Sequence, residues 1–416
     1  MNAVAPALSA VQLDPSQERA VELMCSAPFG IVTGGPGTGK TTTLRTALDR
    51  LDAEGESYDL AAPTGKASKR MAEATGRNAR TVHRLLEFNP SLGGFQRHEH
   101  NPLTCSAVFV DESSMLDVAL AAALLRAIGP QTRLVLIGDA DQLPPVGPGR
   151  VFGDLVDSGD VPVARLTQLH RSALESWIHV NAQRILRGDV LDLSTRKDFR
   201  FLEVEDASGV LPTVVKLVTD TIPRELEGVP SQVLIPQRPG VAGIEQANLQ
   251  LQAAINPARE GEPFLTRGKA SDGKPGQLRI GDRVIQTRND YKLADGQGVF
   301  NGELGDIVGI EKGSVQVYFA DRGEVRYTLE QANALQHAYA LTVHRFQGSE
   351  APWAVVVCHS THTFILSRQL LYTAITRGKQ GVLLVGNRKG IEVALSEKRP
   401  PRRNTALVER MRGELV

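Results

Sequence analysis

The ten residues "GGPGTGKTTT", Gly34 to Thr43, constrain this chain more than any other stretch. They fit G-x-x-x-x-G-K-[ST], with Gly34, Gly39, Lys40 and Thr41 at the required positions. Glycines there let backbone N–H groups close around phosphate oxygens, because no Cβ blocks the approach. "FGIVTG" before the loop is apolar and β-branched, as a strand is. "TTTLRTALDRLDA" after it spaces Leu44, Ala47, Leu48 and Leu51 as one helix face. Strand, loop and helix together put phosphates on a positive helix N-terminus. An ordinary glycine-rich turn would not need both flanks. The loop therefore predicts a bound nucleoside triphosphate with Mg²⁺, and in this chain Gly35, Pro36, Gly37, Thr38, Gly39, Lys40, Thr41 and Thr42 would line it.

At 416 residues the chain is too long for one ordinary domain. No apolar run is long enough to predict a membrane span. "MNAVAPALSAVQL" lacks the basic start and apolar core of a signal peptide. Cys25, Cys105 and Cys358 are scattered and in no metal-ligand spacing, as expected of thiols in a reduced, cytoplasmic protein. Lys plus Arg equals Asp plus Glu, 47 each, so nucleic-acid binding would need a local channel, not a global charge.

Residues 1–170 alternate strand-like and helix-like segments, the pattern of a parallel α/β sheet with function at the carboxyl ends of its strands. Within this block, about 86–104 breaks the pattern with Asn-Pro and Gly-Gly turn signals and predicts a small β-hairpin insertion. A second α/β block is expected over 171–265 and 333–416. Between its halves, 266–332 alternates apolar and polar residues with Gly and Asp turns, which predicts an inserted antiparallel β-barrel.

Three further signals carry chemistry. "VFVDESS" is a strand that delivers Asp111 and Glu112 to its tip. The first can hold Mg²⁺ together with the Thr41 hydroxyl, and the second can take a proton from an attacking water. "LIGDADQLPPVG" ends a strand at Gly138–Asp139 and follows with Gln142, whose amide can donate and accept. Arg171 in "QLHRSA" and Arg377 in "LLYTAITRGKQ" offer guanidinium groups from the second block. If both reach a γ-phosphate, the nucleotide lies between two α/β domains and its turnover opens and closes the cleft. "RHEH", Arg97 to His100, is a poor zinc site and reads as the polar tip of the inserted hairpin.

Taken in order, "LDPSQERAV", "GGPGTGKTTT", "APTGKASKRM", "VDESSM", "GDADQLPPVG", "LHRS", "LTVHRFQGSE" and "LYTAITRGK" resemble the helicase motifs of superfamily 1. "RTVHRLLEF" and "NDY…VFNGELG" narrow the resemblance to the RecD-type branch, whose stand-alone members are described as 5′→3′ DNA helicases. The resemblance implies two RecA-like P-loop domains, an α/β fold with a pin at the hairpin insertion and an SH3-like barrel. It implies that Gln17 reads adenine and that Lys40 and Thr41 hold phosphate and metal. Asp111 would bind the metal, Glu112 would be the base, and Gln142, Arg171 and Arg377 would contact the γ-phosphate. Gln347 and Glu350 would join the ATP cleft to the strand path. Pro63, Thr64, Lys66, Thr81, His83, Asn301, Thr342 and His344 would touch DNA. Thr64, Lys66, Ser68, Lys69 and Arg70, in one loop-to-helix segment, suit phosphate contacts.

Expected partners are ATP, Mg²⁺, single-stranded DNA and its junctions with duplex, for a monomer away from membranes. Phe346 stands where a small or polar residue is expected. Longer members carry a helix-hairpin-helix region before the first motif, so this chain reads as a short or trimmed form. Rival readings are a strand-stimulated translocase or relaxase-associated module without its own unwinding, a non-catalytic binding module, and a P-loop switch or kinase.

Overall fold

Phe29–Thr33 forms the strand and Lys40–Glu54 the helix on either side of the glycine loop. In this computed structural model the described residues are 12–168, 175–269, 275–296, 298–320, 322–396, 403 and 405–414. The first sheet has six parallel strands in the order Ala79–Thr81, Tyr58–Ala62, Ala107–Val110, Arg133–Gly138, Phe29–Thr33, Val163–Arg165. Its central strands are apolar throughout because helices cover both faces. Val108 and Val110 enter one core with Leu124 and Phe152, whereas Ala107 and Phe109 enter the other with Leu44, Leu48 and Leu51. That alternation is the two-residue period of a strand. The helix Pro15–Ser26 starts on a capping box between Asp14 and Gln17.

The second sheet runs Ala340–Thr342, Ser231–Ile235, Ala351–Cys358, Gly378–Gly386, Phe199–Glu203, again all parallel. Between the helix Ile244–Ile255 and the edge strand Ala340–Thr342 the chain leaves to build an antiparallel five-stranded barrel. Its order is Gly323–Thr328, Ser314–Phe319, Leu304–Glu311, Arg283–Gln286, Leu335–His337. The barrel therefore runs past residue 332, since Leu335–His337 pairs with Arg283–Gln286. The arrangement is that of two RecA-like domains with an SH3-like barrel inserted in the second.

Asp282 ties the barrel to its parent domain. Its buried carboxylate accepts from Gln252 Nε2 (2.6 Å), Asn256 Nδ2 (2.8 Å), the Arg279 N–H (2.8 Å), Tyr339 Oη (2.9 Å) and His337 Nε2 (3.2 Å). Burial acts to raise its pKa, but these donors, His337 first, hold it below the ordinary carboxylate range.

Two local expectations change. The inserted hairpin pairs Phe88–Asn89 with Gly94–Phe95, so its tip is the turn at 90–93. "RHEH" lies at the hairpin's base instead. There Arg97 bonds Glu87 and the Pro102 carbonyl, and His98 bridges Asn101. The tail residues 403 and 405–414, grouped by sequence with the second domain, lie on the first. Arg403 donates to the Gly149 carbonyl (2.8 Å), Thr405 to Asp154 (2.5 Å) and Arg412 to the Ser158 carbonyl (3.0 Å). No helix among the described residues is long and apolar enough to cross a membrane.

Candidate nucleotide site and strand interface

Gly37 and Gly39 take left-handed φ values of 76° and 83°, which turn the loop's backbone inward before Lys40. Gly39 caps the 15-residue helix without any side-chain bond, so its first N–H groups face the loop with no protein cap. Lys40 Nζ donates to the carbonyls of Gly34 (2.5 Å) and Gly35 (3.1 Å), bonds that phosphate oxygens would replace. Thr38 closes the turn onto the Gly35 carbonyl (2.7 Å). Thr41 is exposed at the first turn, with Thr42 beside it. Gln17 is buried. Its Nε2 donates to the Thr38 carbonyl (3.2 Å) and its Oε1 accepts from the Asp14 N–H (3.1 Å), so it braces the loop from behind.

Asp111 ends its strand beside Glu112, which sits at φ 52° and donates its N–H to Asp111 Oδ1 (2.8 Å). Burial, then the Glu112 charge, push the Asp111 carboxyl up to about 6, against the pull of Lys40 and Arg70. A half-buried carboxylate pair of this kind calls for a cation. With the uncapped helix end and the glycine cradle it fits a metal–triphosphate. So does Gln347 Oε1, a buried acceptor with no partner in the cleft wall.

The two domains meet around Leu143. Its N–H donates to Thr373 Oγ1 (2.9 Å) and its carbonyl accepts from Gln347 Nε2 (2.8 Å). Next to it, Tyr372 Oη donates to Asp139 Oδ2 (2.8 Å), which also accepts from Gln142 Nε2 (3.2 Å). A Cβ on Gly35 would come within 2.9 Å of that phenol, so the second domain lies directly on the phosphate loop. Arg377 is buried and turned into its own domain, donating to the carbonyls of Thr373 (3.0 Å) and Ser349 (3.2 Å). Arg171 lies outside the described residues. Glu350 pairs with Arg70 (2.8 Å) and Lys379 (3.1 Å). Burial would raise its pKa, but Arg70, Arg377 and Lys379 hold it low.

The residues expected to touch DNA fall on both domains and the barrel. Pro63 follows the strand Tyr58–Ala62, and Thr64 caps the helix Gly65–Thr75 by accepting from the Ala67 N–H (3.2 Å). Lys66 lies 5.0 Å over the ring of Phe346. Burial, with Arg283 and Arg70 nearby, pulls its ammonium down to about 8. Phe346 is itself buried, which explains an aromatic there: it is the floor under a cation. Thr342 Oγ1 accepts from the Arg345 N–H (3.1 Å), and burial lowers the pKa of His344. Thr81 caps the short helix Val82–Leu85. Asn301 is exposed on the barrel. His83 packs among Phe88 and Phe95, at ring separations of 5.6 and 5.5 Å, so its ring is held in an aromatic cluster. That cluster continues through Phe88–Tyr291 (6.5 Å) and Tyr291–Phe300 (5.7 Å) onto the barrel, where Phe300 lies between Arg84 and Arg322.

Arg70, Asp139, Tyr372, Thr373 and Arg84 were not singled out individually as cleft or interface residues by sequence. Tyr372 and Thr373 do stand within "LYTAITRGK", and Asp139 within "GDADQ". Arg70 points to Glu350, not along the phosphate-contact row expected of it.

The AAA domain family matches residues 17–148, the UvrD-like helicase C-terminal domain 337–385, and the ATP-dependent RecD-like DNA helicase SH3 domain 247–319. The RecBCD enzyme subunit RecD of Mycobacterium tuberculosis is 32% identical over 92% of this chain and 71% of that protein. The chain belongs to the RecD helicase family. The ATP-dependent RecD2 DNA helicase of Deinococcus radiodurans is 37% identical over 96% of this chain, which spans 53% of that longer RecD relative. Two solved Pif1 helicases share the fold of this chain at low identity. That of Candida albicans has a TM-score of 0.54 at 18% identity over 97% of this chain and 99% of that one. A Bacteroides Pif1 has a TM-score of 0.53 at 19% identity, with 97% of each chain covered.

Proposed function

We propose that this chain is an ATP-dependent DNA helicase that moves 5′→3′ along single strands and opens duplex DNA. The observation that carries the reading is the meeting of both domains at one cleft. The phosphate loop, the Asp111–Glu112 pair, Gln142 and the second domain's Gln347, Glu350 and Tyr372 border it, and Arg377 lies behind them, turned into its own domain. The Deinococcus relative named a DNA helicase and the Bacteroides Pif1 described with ADP-AlF3 and single-stranded DNA support it.

Thr41 and Asp111 would hold Mg²⁺, which supplies charge that offsets the phosphates. The loop N–H groups and Lys40 bind the β- and γ-phosphates. Glu112 takes the proton of the attacking water. Arg377 gives up its bond to the Ser349 carbonyl and turns to the γ-phosphate as the cleft closes, with Arg171 as its companion. Gln142, bonded to Asp139, passes the change to Tyr372 and Leu143. The strand lies over Thr64, Lys66, Thr342 and His344, and the hairpin Phe88–Phe95 divides the duplex at the junction. The protein works as a monomer in the cytoplasm, where its three unpaired cysteines stay reduced.

The test is ATP hydrolysis with and without oligo-deoxythymidine. Strong stimulation by the strand is expected. Glu112→Gln should lower kcat by about 10² to 10⁴ while nucleotide still binds. A rate indifferent to DNA would contradict the reading.

A further inference from the structure

Arg70 stands where the strand path, the catalytic carboxylate and the second domain come together. Its helix, Gly65–Thr75, is capped by Thr64 and carries Lys66 in its first turn. Lys66 and Arg70 are four residues apart and share a face. From there the guanidinium reaches across the domain boundary. Nη2 lies 2.8 Å from Glu350 Oε1, and Nη1 lies 3.4 Å from the Gly348 carbonyl and 4.0 Å from Glu112 Oε1. Both carboxylates are largely shielded: the side chains of Glu112 and Glu350 are 16% and 22% exposed. The loop that carries Glu350 rests on the same elements. Gly348 has φ 67°, and a Cβ there would lie 3.3 Å from both Thr64 Oγ1 and Met115 Sδ. It thus touches the cap of the Arg70 helix and the turn that follows Glu112.

We propose that Arg70 is a positioning residue: by dividing its guanidinium between Glu112 and Glu350 it sets the orientation of the catalytic base and makes hydrolysis depend on the strand. The guanidinium is a rigid planar fork, so a small rotation of its helix changes which carboxylate it favours. A phosphate at Thr64 and Lys66 acts on the N-terminal turn of that helix. Cleft closure acts on the Gly348–Glu350 loop. Both inputs converge on one side chain that bonds Glu350 and lies 4.0 Å from the carboxylate of the base. The inference rests on the helicase reading above.

The test compares wild type, Arg70→Ala and Arg70→Lys for ATP turnover with and without oligo-deoxythymidine, together with strand affinity. Wild type must first show stimulation by the strand; its absence would overturn the helicase reading itself. Given stimulation, Arg70→Ala should lower the ratio of DNA-stimulated to DNA-free rate by at least about tenfold. The KM for ATP and the Kd for the strand should stay within about threefold of wild type. Arg70→Lys, which keeps the charge but loses the fork, should restore only part of the ratio. An unchanged ratio, a full rescue by lysine, or an equal loss of both rates would overturn the proposal. The last would show that Arg70 only holds the fold together.

Discussion

Lys66 shows how much one side chain's surroundings decide. Its ammonium is half-buried against Phe346 and crowded by Arg283 and Arg70, which brings its pKa down to about 8. A lowered lysine is charged below that value and neutral above it. A strand phosphate favours the charged form, so strand affinity should fall as pH rises from about 7 to about 9. Lys66→Arg should remove that dependence, because guanidinium stays protonated across the range. Fluorescence anisotropy of a labelled oligonucleotide against pH checks both. Equal pH dependence in the two proteins would show that Lys66 does not meet the strand.

Among the elements, the barrel's attachment and the inserted hairpin make separable predictions. Asp282 accepts five hydrogen bonds with no exposure, so Asp282→Ala leaves buried donors unpaired and should cost about 3–5 kcal/mol in denaturant unfolding. Its carboxyl is held below the ordinary value, so this contribution is present at neutral pH. It is lost as pH falls below the unfolded value and through the lower folded one. The gap in stability between the alanine variant and wild type should therefore begin to narrow as pH falls below about 4 and go on narrowing through the lower folded value. Cutting the hairpin tip, 90–93, back to a short glycine turn should abolish duplex opening while DNA-stimulated ATP hydrolysis continues. Loss of both would assign the hairpin to strand binding instead.

The same elements show what the sequence made legible. The phosphate-loop unit carried its own pattern in glycine spacing and flanking periodicity. The barrel announced itself where helical spacing gave way to alternation. Where the tail docks was not legible, because Leu407–Met411 is held by bonds from Arg403, Thr405 and Arg412 to partners about 250 residues away. Nor was Arg70, whose partner Glu350 is 280 positions distant, or Tyr372, a lone aromatic in an apolar helix. Such pairings exist only once the two domains face each other.

At the scale of the whole molecule, two RecA-like domains meet at one cleft, and on the proposed reading the hairpin and the barrel flank the strand path. On that reading domain closure would repack Leu143, Tyr372 and Gln347 against the phosphate loop, so that each ATP turnover would shift one grip on the strand relative to the other. Movement in one direction along a single strand is then the defining property. The most direct measurement is unwinding of two matched duplexes, one with a 5′ single-stranded tail and one with a 3′ tail, in ATP and Mg²⁺, with Lys40→Ala as control. Opening of the 5′-tailed duplex alone, lost in Lys40→Ala, is the expected result. Opening of the 3′-tailed duplex alone, or opening that persists without Lys40, would contradict it.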